Sequence, residues 1–229
     1  MSGAGIPTDS QLLTLPAGLP RPEDDGAARH LPGATVPHIV LRSTSGDEVD
    51  VGEVARRLSV FFLYPATIAP PAVIPGEWSE IPGARGCTIQ NVGFRDAYPG
   101  LSPFGVRLFG VSGQGQSDPE VGLREQLELK RRLGLPYDLL NDARFELAGA
   151  LNLPTFVASL RTPTVEFEGR RTTFPLQGRR LFKRLTFVAD RGVIEKVFYP
   201  VFPPDLNGSE VLDYLRHRAS SGSPRARRS

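Results

Sequence analysis

The chain is poor in the residues that most often carry chemistry. Among its 229 residues are one cysteine, one tryptophan, one methionine and three histidines. A single cysteine excludes an internal disulfide and suits a reducing compartment. Cys87 together with His30, His38 and His217 offers no ligand pair at zinc-site spacing. A cysteine-protease arrangement needs a histidine base beside the thiol. His38 is the only candidate in the body of the chain, and no motif ties it to Cys87. No apolar run approaches the ~18 residues that a membrane-spanning helix needs. Residues Met1 to Ser10 lack the basic start and apolar block of a secretory leader. Paired carboxylates are also missing. The glycines of Gly110-Val-Ser-Gly113-Gln-Gly115 fit neither the dinucleotide fingerprint nor the phosphate loop. These gaps lead us to expect a soluble cytoplasmic protein without metal or cofactor.

What is present is ordinary for a globular domain: 40% hydrophobic and 23% charged residues, enough at this length for one substantial core. The net charge of +2 is misleading. Arg216, Arg218, Arg225, Arg227 and Arg228 supply five positive charges with no acid among them, so the rest of the chain carries −3. That basic ending reads as a solvated tail, and the body has no basic stripe with interleaved aromatics for nucleic acid. Composition divides the chain into a flexible arm over 1–30, a domain over 31–218 and a disordered basic tail over 219–229. Leu12, Leu13 and Leu15 are apolar points in the arm.

Within the domain, His38–Leu41 and Glu48–Val51 read as strands around a Ser45-Gly46-Asp47 turn, with a helical turn or two over Val54–Leu58. Leu58–Tyr64 is a nearly continuous apolar run closed by Pro65, the pattern of a central strand buried on both faces. From Ala66 to Gly86 four prolines exclude a regular element, and Trp78 is placed to pin this loop to the body. A helix is expected from Cys87 to Tyr98, weakened by Gly93 and ended by Pro99-Gly100. Val106–Val111 is a second buried strand. Asp118-Pro119-Glu120 then caps a helix running to Leu133 and ending at Gly134, with Leu123 and Leu127 on one face. Tyr137–Leu140 reads as an edge strand and Arg144–Leu151 as a helix. An inserted hairpin turns at Glu168-Gly169. Leu181–Ala189 and Val193–Tyr199 form a hairpin around Asp190-Arg191-Gly192. A last helix starts at Asn207 or Ser209, with Val211, Leu212 and Leu215 inward. This order predicts a mixed sheet with helices on both faces.

Cys87 stands out by position. Proline and glycine precede it and a helix follows, so unpaired backbone N–H groups and the positive end of the helix dipole face the sulfur and favour a thiolate. A lone cysteine is otherwise a small buried hydrophobe.

Around it, Tyr64-Pro65, Gly86-Cys87-Thr88 and Phe94-Arg95-Asp96 resemble the peroxiredoxins, especially the Q subfamily related to the bacterioferritin comigratory protein. The likeness extends to Phe109-Gly-Val-Ser112, Leu135-Pro136, Leu139-Leu140-Asn141-Asp142 and Arg184-Leu185-Thr186-Phe187, over roughly residues 31–218. The resemblance implies a thioredoxin-like α/β fold, with Cys87 as the peroxidatic cysteine, Arg184 as the active-site arginine and Pro65 as the proline that shields the thiolate. Thr88 joins them as a site candidate beside the sulfur.

The chain departs from the family pattern at four places. Ala84 replaces the threonine three residues before the cysteine, and Thr88 lies on the other side of the sulfur. Gln90 stands where Glu is common, and Val92 where many Q members have a resolving cysteine. A long insertion separates Pro65 from Cys87. The resemblance thus implies a one-cysteine thiol peroxidase acting on hydrogen peroxide or organic hydroperoxides. Its reductant would be external: a thioredoxin, a glutaredoxin or a low-molecular-weight thiol. Peroxiredoxins often form a homodimer, but no residue here marks an interface. Two other readings stay open, a redox sensor that reacts slowly through Cys87 and a non-catalytic binding module built on the insertion around Trp78.

Overall fold

The computed structural model describes residues 13–68, 74–167 and 170–221. In chain order, β1 (Val40–Ser43) and β2 (Glu48–Asp50) lead into α1 (Val51–Ala55) and β3 (Ser59–Leu63). A long loop reaches α2 (Cys87–Leu101), followed by β4 (Arg107–Ser112), α3 (Pro119–Leu133), β5 (Asp138–Asn141) and α4 (Glu146–Ala150). Then come β6 (Thr155–Val157), β7 (Thr164–Phe167), β8 (Arg170–Thr173) and β9 (Arg180–Phe182). The chain closes with β10 (Leu185–Asp190), β11 (Val193–Phe198) and α5 (Asn207–Ser221). Seven strands make one sheet in the order β11-β10-β3-β4-β5-β1-β2. β3, β4 and β5 run parallel, and the outer strands are antiparallel to their neighbours.

β3 is buried along its whole length, as its unbroken apolar run predicts. Successive side chains point to opposite faces. Phe61 and Leu63 join one core with Val51 and Val54 of α1 and Leu147 of α4. Val60, Phe62 and Tyr64 join a second with Cys87 and Phe94 of α2, Leu129 of α3, and Val211 and Leu215 of α5. Helices therefore cover both faces, as expected.

A third, smaller core explains the two insertions. Trp78 is 3% exposed and packs with Ala66, Ala84, Leu160 and Phe174. Its ring meets Phe174 edge-on at 5.5 Å. Glu77 accepts the backbone N–H of Arg161 at 2.7 Å, and Arg161 pairs with Glu80 at 2.8 Å. Trp78 thus fastens the 66–86 loop to the inserted hairpin β7–β8 (its Glu168-Gly169 turn lies outside the described residues).

Several expected boundaries shift. Pairing of Arg42 and Ser43 with β5 draws the first strand two residues later. It also makes β5 an interior strand rather than an edge, because the β1–β2 hairpin docks on it. Asp50 caps the helix expected at Val54, accepting the Glu53 N–H at 3.0 Å, so α1 starts at Val51. α2 runs through Pro99 to Leu101. A proline in the last turn removes one backbone bond, and fully buried Leu101 offsets that loss. In α3 the cap Asp118, Pro119 and the left-handed Gly134 match expectation, but the buried face is Gly122, Gln126, Leu129 and Leu133 rather than Leu123 and Leu127. Phe145 adopts φ 57° and confines α4 to Glu146–Ala150. The strand expected over Leu181–Ala189 breaks at Lys183-Arg184, since β9 pairs with β6 and β10 with β3.

Nor are residues 13–30 without specific contacts, although their composition suggests a loose arm. Asp25 pairs with Lys183 at 2.5 Å and accepts from the Tyr199 hydroxyl at 2.7 Å, while Ala28 joins the main core. Residues 1–12 and 222–229, including Leu12 and most of the basic tail, lie outside the described residues. Among the described residues no helix is long and apolar enough to cross a membrane.

Gly93 was expected only to weaken α2. A side chain there would place Cβ 2.4 Å from the Asp205 carbonyl oxygen, and one at Gly208 would lie 2.5 Å from the Gly93 carbonyl. Gly93→Ala gains about 1 kcal/mol in helix propensity, but overpacking of this kind costs about 1–3 kcal/mol. The variant should therefore unfold at lower urea concentration.

Asp142 gives a pH signature. Its carboxylate accepts backbone N–H groups of Glu146 and Ala148, yet burial outweighs these bonds and pushes it up from 3.8 to about 6. The native state thus holds a proton that the unfolded chain has released, so this group's contribution to stability is full below about pH 4 and is lost as pH rises through about 6. Urea titrations should show wild type losing up to about 3 kcal/mol relative to Asp142→Asn between pH 4 and 7.

Candidate active site

Gly86 sets the entrance of α2. Its φ of 102° is open to glycine, and a Cβ there would lie 2.4 Å from Pro204 Cγ and 3.3 Å from Leu15 Cδ2. Turn geometry and close packing both exclude a larger residue. Cys87 is the first helical residue, so its own N–H and those just after it precede the first intrahelical bond, Gln90 N–H to the Gly86 carbonyl at 2.9 Å. The thiol is 7% exposed, and its sulfur lies 3.8 Å from the Ala84 carbonyl.

Arg184, 97 positions away in sequence, reaches this sulfur. Its Nη2 donates to Cys87 Sγ at 3.4 Å and to the carbonyls of Gly83 at 3.3 Å and Arg85 at 3.1 Å. Nη1 donates to Gln90 Oε1. Gln90 Nε2 in turn donates to Asn207 Oδ1 at 3.1 Å, which also accepts from Thr186 Oγ1 at 2.6 Å. The start of β10, the first turn of α2 and the start of α5 are tied together through one guanidinium. Arg184 is 3% exposed, and no described carboxylate pairs with it. The break between β9 and β10 is what turns its side chain inward.

Cys87 and Thr88 line a small cavity of about 40 Å³ with Thr67, Trp78, Leu15 and Arg85. Ala84, where the resemblance calls for threonine, is fully buried against Trp78 in the third core and brings no hydroxyl. Pro65 is buried at the end of β3, where Ser112 Oγ donates to its carbonyl at 3.0 Å. It stands just outside the cavity lining, which includes the next residue, Ala66. Sequence reasoning did not single out Arg85. Half-buried beside the thiol, its guanidinium is held below the usual range by desolvation, against the opposing effect of Cys87. Gln90 was noted only as a departure. Its spacing of three from Cys87, which puts both on one helix face, was the available signal.

The histidines are engaged elsewhere. His38 pairs with Asp50 at 3.0 Å, His30 with the Leu151 carbonyl and His217 with the Asp213 carbonyl. Among the described residues no cluster of histidine, cysteine or carboxylates could hold a metal ion.

No family model matches the chain, and no curated protein matches it. Solved structures do. The peroxidoxin BcpB of Mycobacterium tuberculosis aligns with a TM-score of 0.56 at 22% identity, over 82% of this chain and 98% of that one. A cysteine-to-serine mutant of PrxQ from Xylella fastidiosa aligns at 0.59 and 16% identity, over 83% and 98%. The Xanthomonas campestris bacterioferritin comigratory protein aligns at 0.54 and 18% identity, over 83% and 97%. With its mixed sheet, its two helical layers and its match to nearly the full length of these chains, the protein has the thioredoxin-like fold of the peroxiredoxins.

Proposed function

We propose that the protein is a thiol peroxidase in which Cys87 reduces a peroxide and is itself regenerated by an external thiol. The observation that carries this reading is the 3.4 Å contact between the Arg184 guanidinium and Cys87 Sγ beside a cavity at a helix N-terminus. A buried cation with no carboxylate partner among the described residues, and the N–H groups at the helix start, both favour negative charge on that sulfur.

In the reaction, Cys87 thiolate attacks one peroxide oxygen. An S–O bond forms as the O–O bond breaks, sulfur is oxidised by two electrons, and the departing oxygen leaves as water or alcohol after taking a proton. Arg184 and the backbone N–H groups of α2 would stabilise charge on that oxygen as it develops. Thr88, at the cavity wall, would orient the peroxide, and Pro65 would fix the end of β3 beside Ala66 and Thr67. Because Cys87 is the only cysteine, an external thiol must condense with the sulfenic acid, releasing water, and a second thiol must then release Cys87 as thiolate. Thioredoxin, glutaredoxin and low-molecular-weight thiols supply that chemistry. Ala84 favours a second reading, a slower sensor that passes its oxidation to a partner thiol, since a methyl group rather than a hydroxyl stands at that position. A stable mixed disulfide forming faster than peroxide turnover would mark it.

Stopped-flow mixing with hydrogen peroxide should show stoichiometric sulfenic acid on wild type and none on Cys87→Ser. Equal peroxide consumption by the two overturns the reading. Arg184→Met keeps much of the buried volume and removes a charge-assisted bond worth about 1.5–3 kcal/mol. Alkylation of its Cys87 by iodoacetamide at neutral pH should slow by at least about tenfold, followed by mass spectrometry.

A further inference from the structure

We propose that Asn207 is a positioning residue for the thiol: it fixes the amide orientation of Gln90, and through Gln90 it holds Arg184 against Cys87. This rests on the thiol-peroxidase reading for the thiolate alone, and it gives a role to a residue otherwise marked only as a helix start. Each amide is oriented by what it meets. A guanidinium has only hydrogens to offer, so the Gln90 atom facing Arg184 Nη1 is Oε1. The amide nitrogen then points away and needs an acceptor, which Asn207 Oδ1 supplies at 3.1 Å. That oxygen also accepts from Thr186 Oγ1 at 2.6 Å. Turning the Asn207 amide over would set Nδ2 against Gln90 Nε2, donor against donor. Turning Gln90 as well would set Nε2 against the guanidinium.

Burial gives this order its force. Gln90, Thr186 and Asn207 are fully buried and Arg184 is 3% exposed, so bulk water does not stand in for a lost partner. Gln90 Oε1 is the one side-chain oxygen among the described residues that accepts from the guanidinium, whose Nε has no partner there. Asn207 Nδ2 is also buried without a partner among the described residues. An orphaned buried donor is destabilising, and a leucine of the same branched shape would not carry one. Stability therefore does not account for an asparagine here, whereas its oxygen does. Nor does the seat of α5 depend on this amide, since a Gly208 side chain would lie 2.5 Å from the Gly93 carbonyl oxygen and the two helices meet main chain to main chain. Arg184 apart, the ionisable groups acting on the thiol among the described residues are the half-buried Arg85 and the phenol of Tyr64, which burial pushes up and keeps protonated. Asp205 and Glu210, on either side of the start of α5, are exposed.

The test follows iodoacetamide alkylation of Cys87 across pH in the full chain, with urea unfolding to establish that each variant is folded. Asn207→Leu removes the oxygen and keeps the branched shape, and Asn207→Ala replaces it should the leucine prevent folding. Ser209→Ala is the control, because Ser209 Oγ donates to the Leu206 carbonyl at 2.7 Å and belongs to the same helix start outside the network. In the Asn207 variants the profile should move to higher pH, with alkylation on its acid limb slowed at least about threefold, since an opposite charge held beside an ionising group favours the charged form by about 10–1000-fold. Ser209→Ala should follow wild type. Asn207→Leu added to Arg184→Met should move the profile no further than Arg184→Met alone. A wild-type profile in the Asn207 variants overturns the proposal, and so does a full additional shift in the Arg184→Met background. The expected alkylation pattern with no hydrogen peroxide oxidation of Cys87 in any variant would uphold the role of Asn207 and overturn the peroxidase reading instead.

Discussion

The site depends on a buried positive charge whose partners are almost all neutral. Arg184 is held by a glutamine oxygen, two backbone carbonyls and one sulfur. Burying a cation is costly unless something answers the charge. Carbonyl dipoles position the two Nη groups but leave Nε without a partner and the unit charge uncancelled, and among the described residues Cys87 is the group in contact that can become an anion. The same network explains why Gln90 suits its place. A carboxylate there would answer Arg184 directly and compete with the sulfur, whereas the amide accepts from Arg184 and passes a donor on to Asn207.

Much of the scaffold was legible because its elements carry local signals. The apolar run from Leu58 to Tyr64, the cap Asp118-Pro119 and the Asp190-Arg191-Gly192 turn each specify structure within a few residues, and each appears where expected. The misplacements have a common origin in tertiary contacts. Leu181–Ala189 reads as one strand, yet its two halves pair with different partners, and only that division turns Arg184 toward the sulfur. β5 reads as an edge until the β1–β2 hairpin is docked on it. Within the site, Cys87 was marked by its uniqueness and its place at a helix start. Arg85 carries no sequence signal, and Leu15 only that of an apolar residue in the arm, because their places follow from loops folding over the thiol.

The insertions make sense as architecture. The loop before Cys87 contains too many prolines to support itself through backbone pairing, and the hairpin β7–β8 stands apart from the main sheet. Together they build a small core around Trp78 that also buries Ala84. Trp78 and Ala84, both in the cavity lining, are thereby held in a core that neither insertion forms alone. A change in the hairpin should be felt at the thiol through Trp78 rather than through the sheet.

The contact between α2 and α5 has an evolutionary consequence. At Gly93 and Gly208 backbone carbonyls occupy the space of any side chain. The apolar residues of α5 can drift as long as their volumes compensate, but no compensating substitution exists where main chain meets main chain. These two positions act as alignment pins between the helix that begins with Cys87 and the helix that begins with Asn207. They hold Gln90, three residues after Cys87, within reach of Asn207, which also accepts from Thr186.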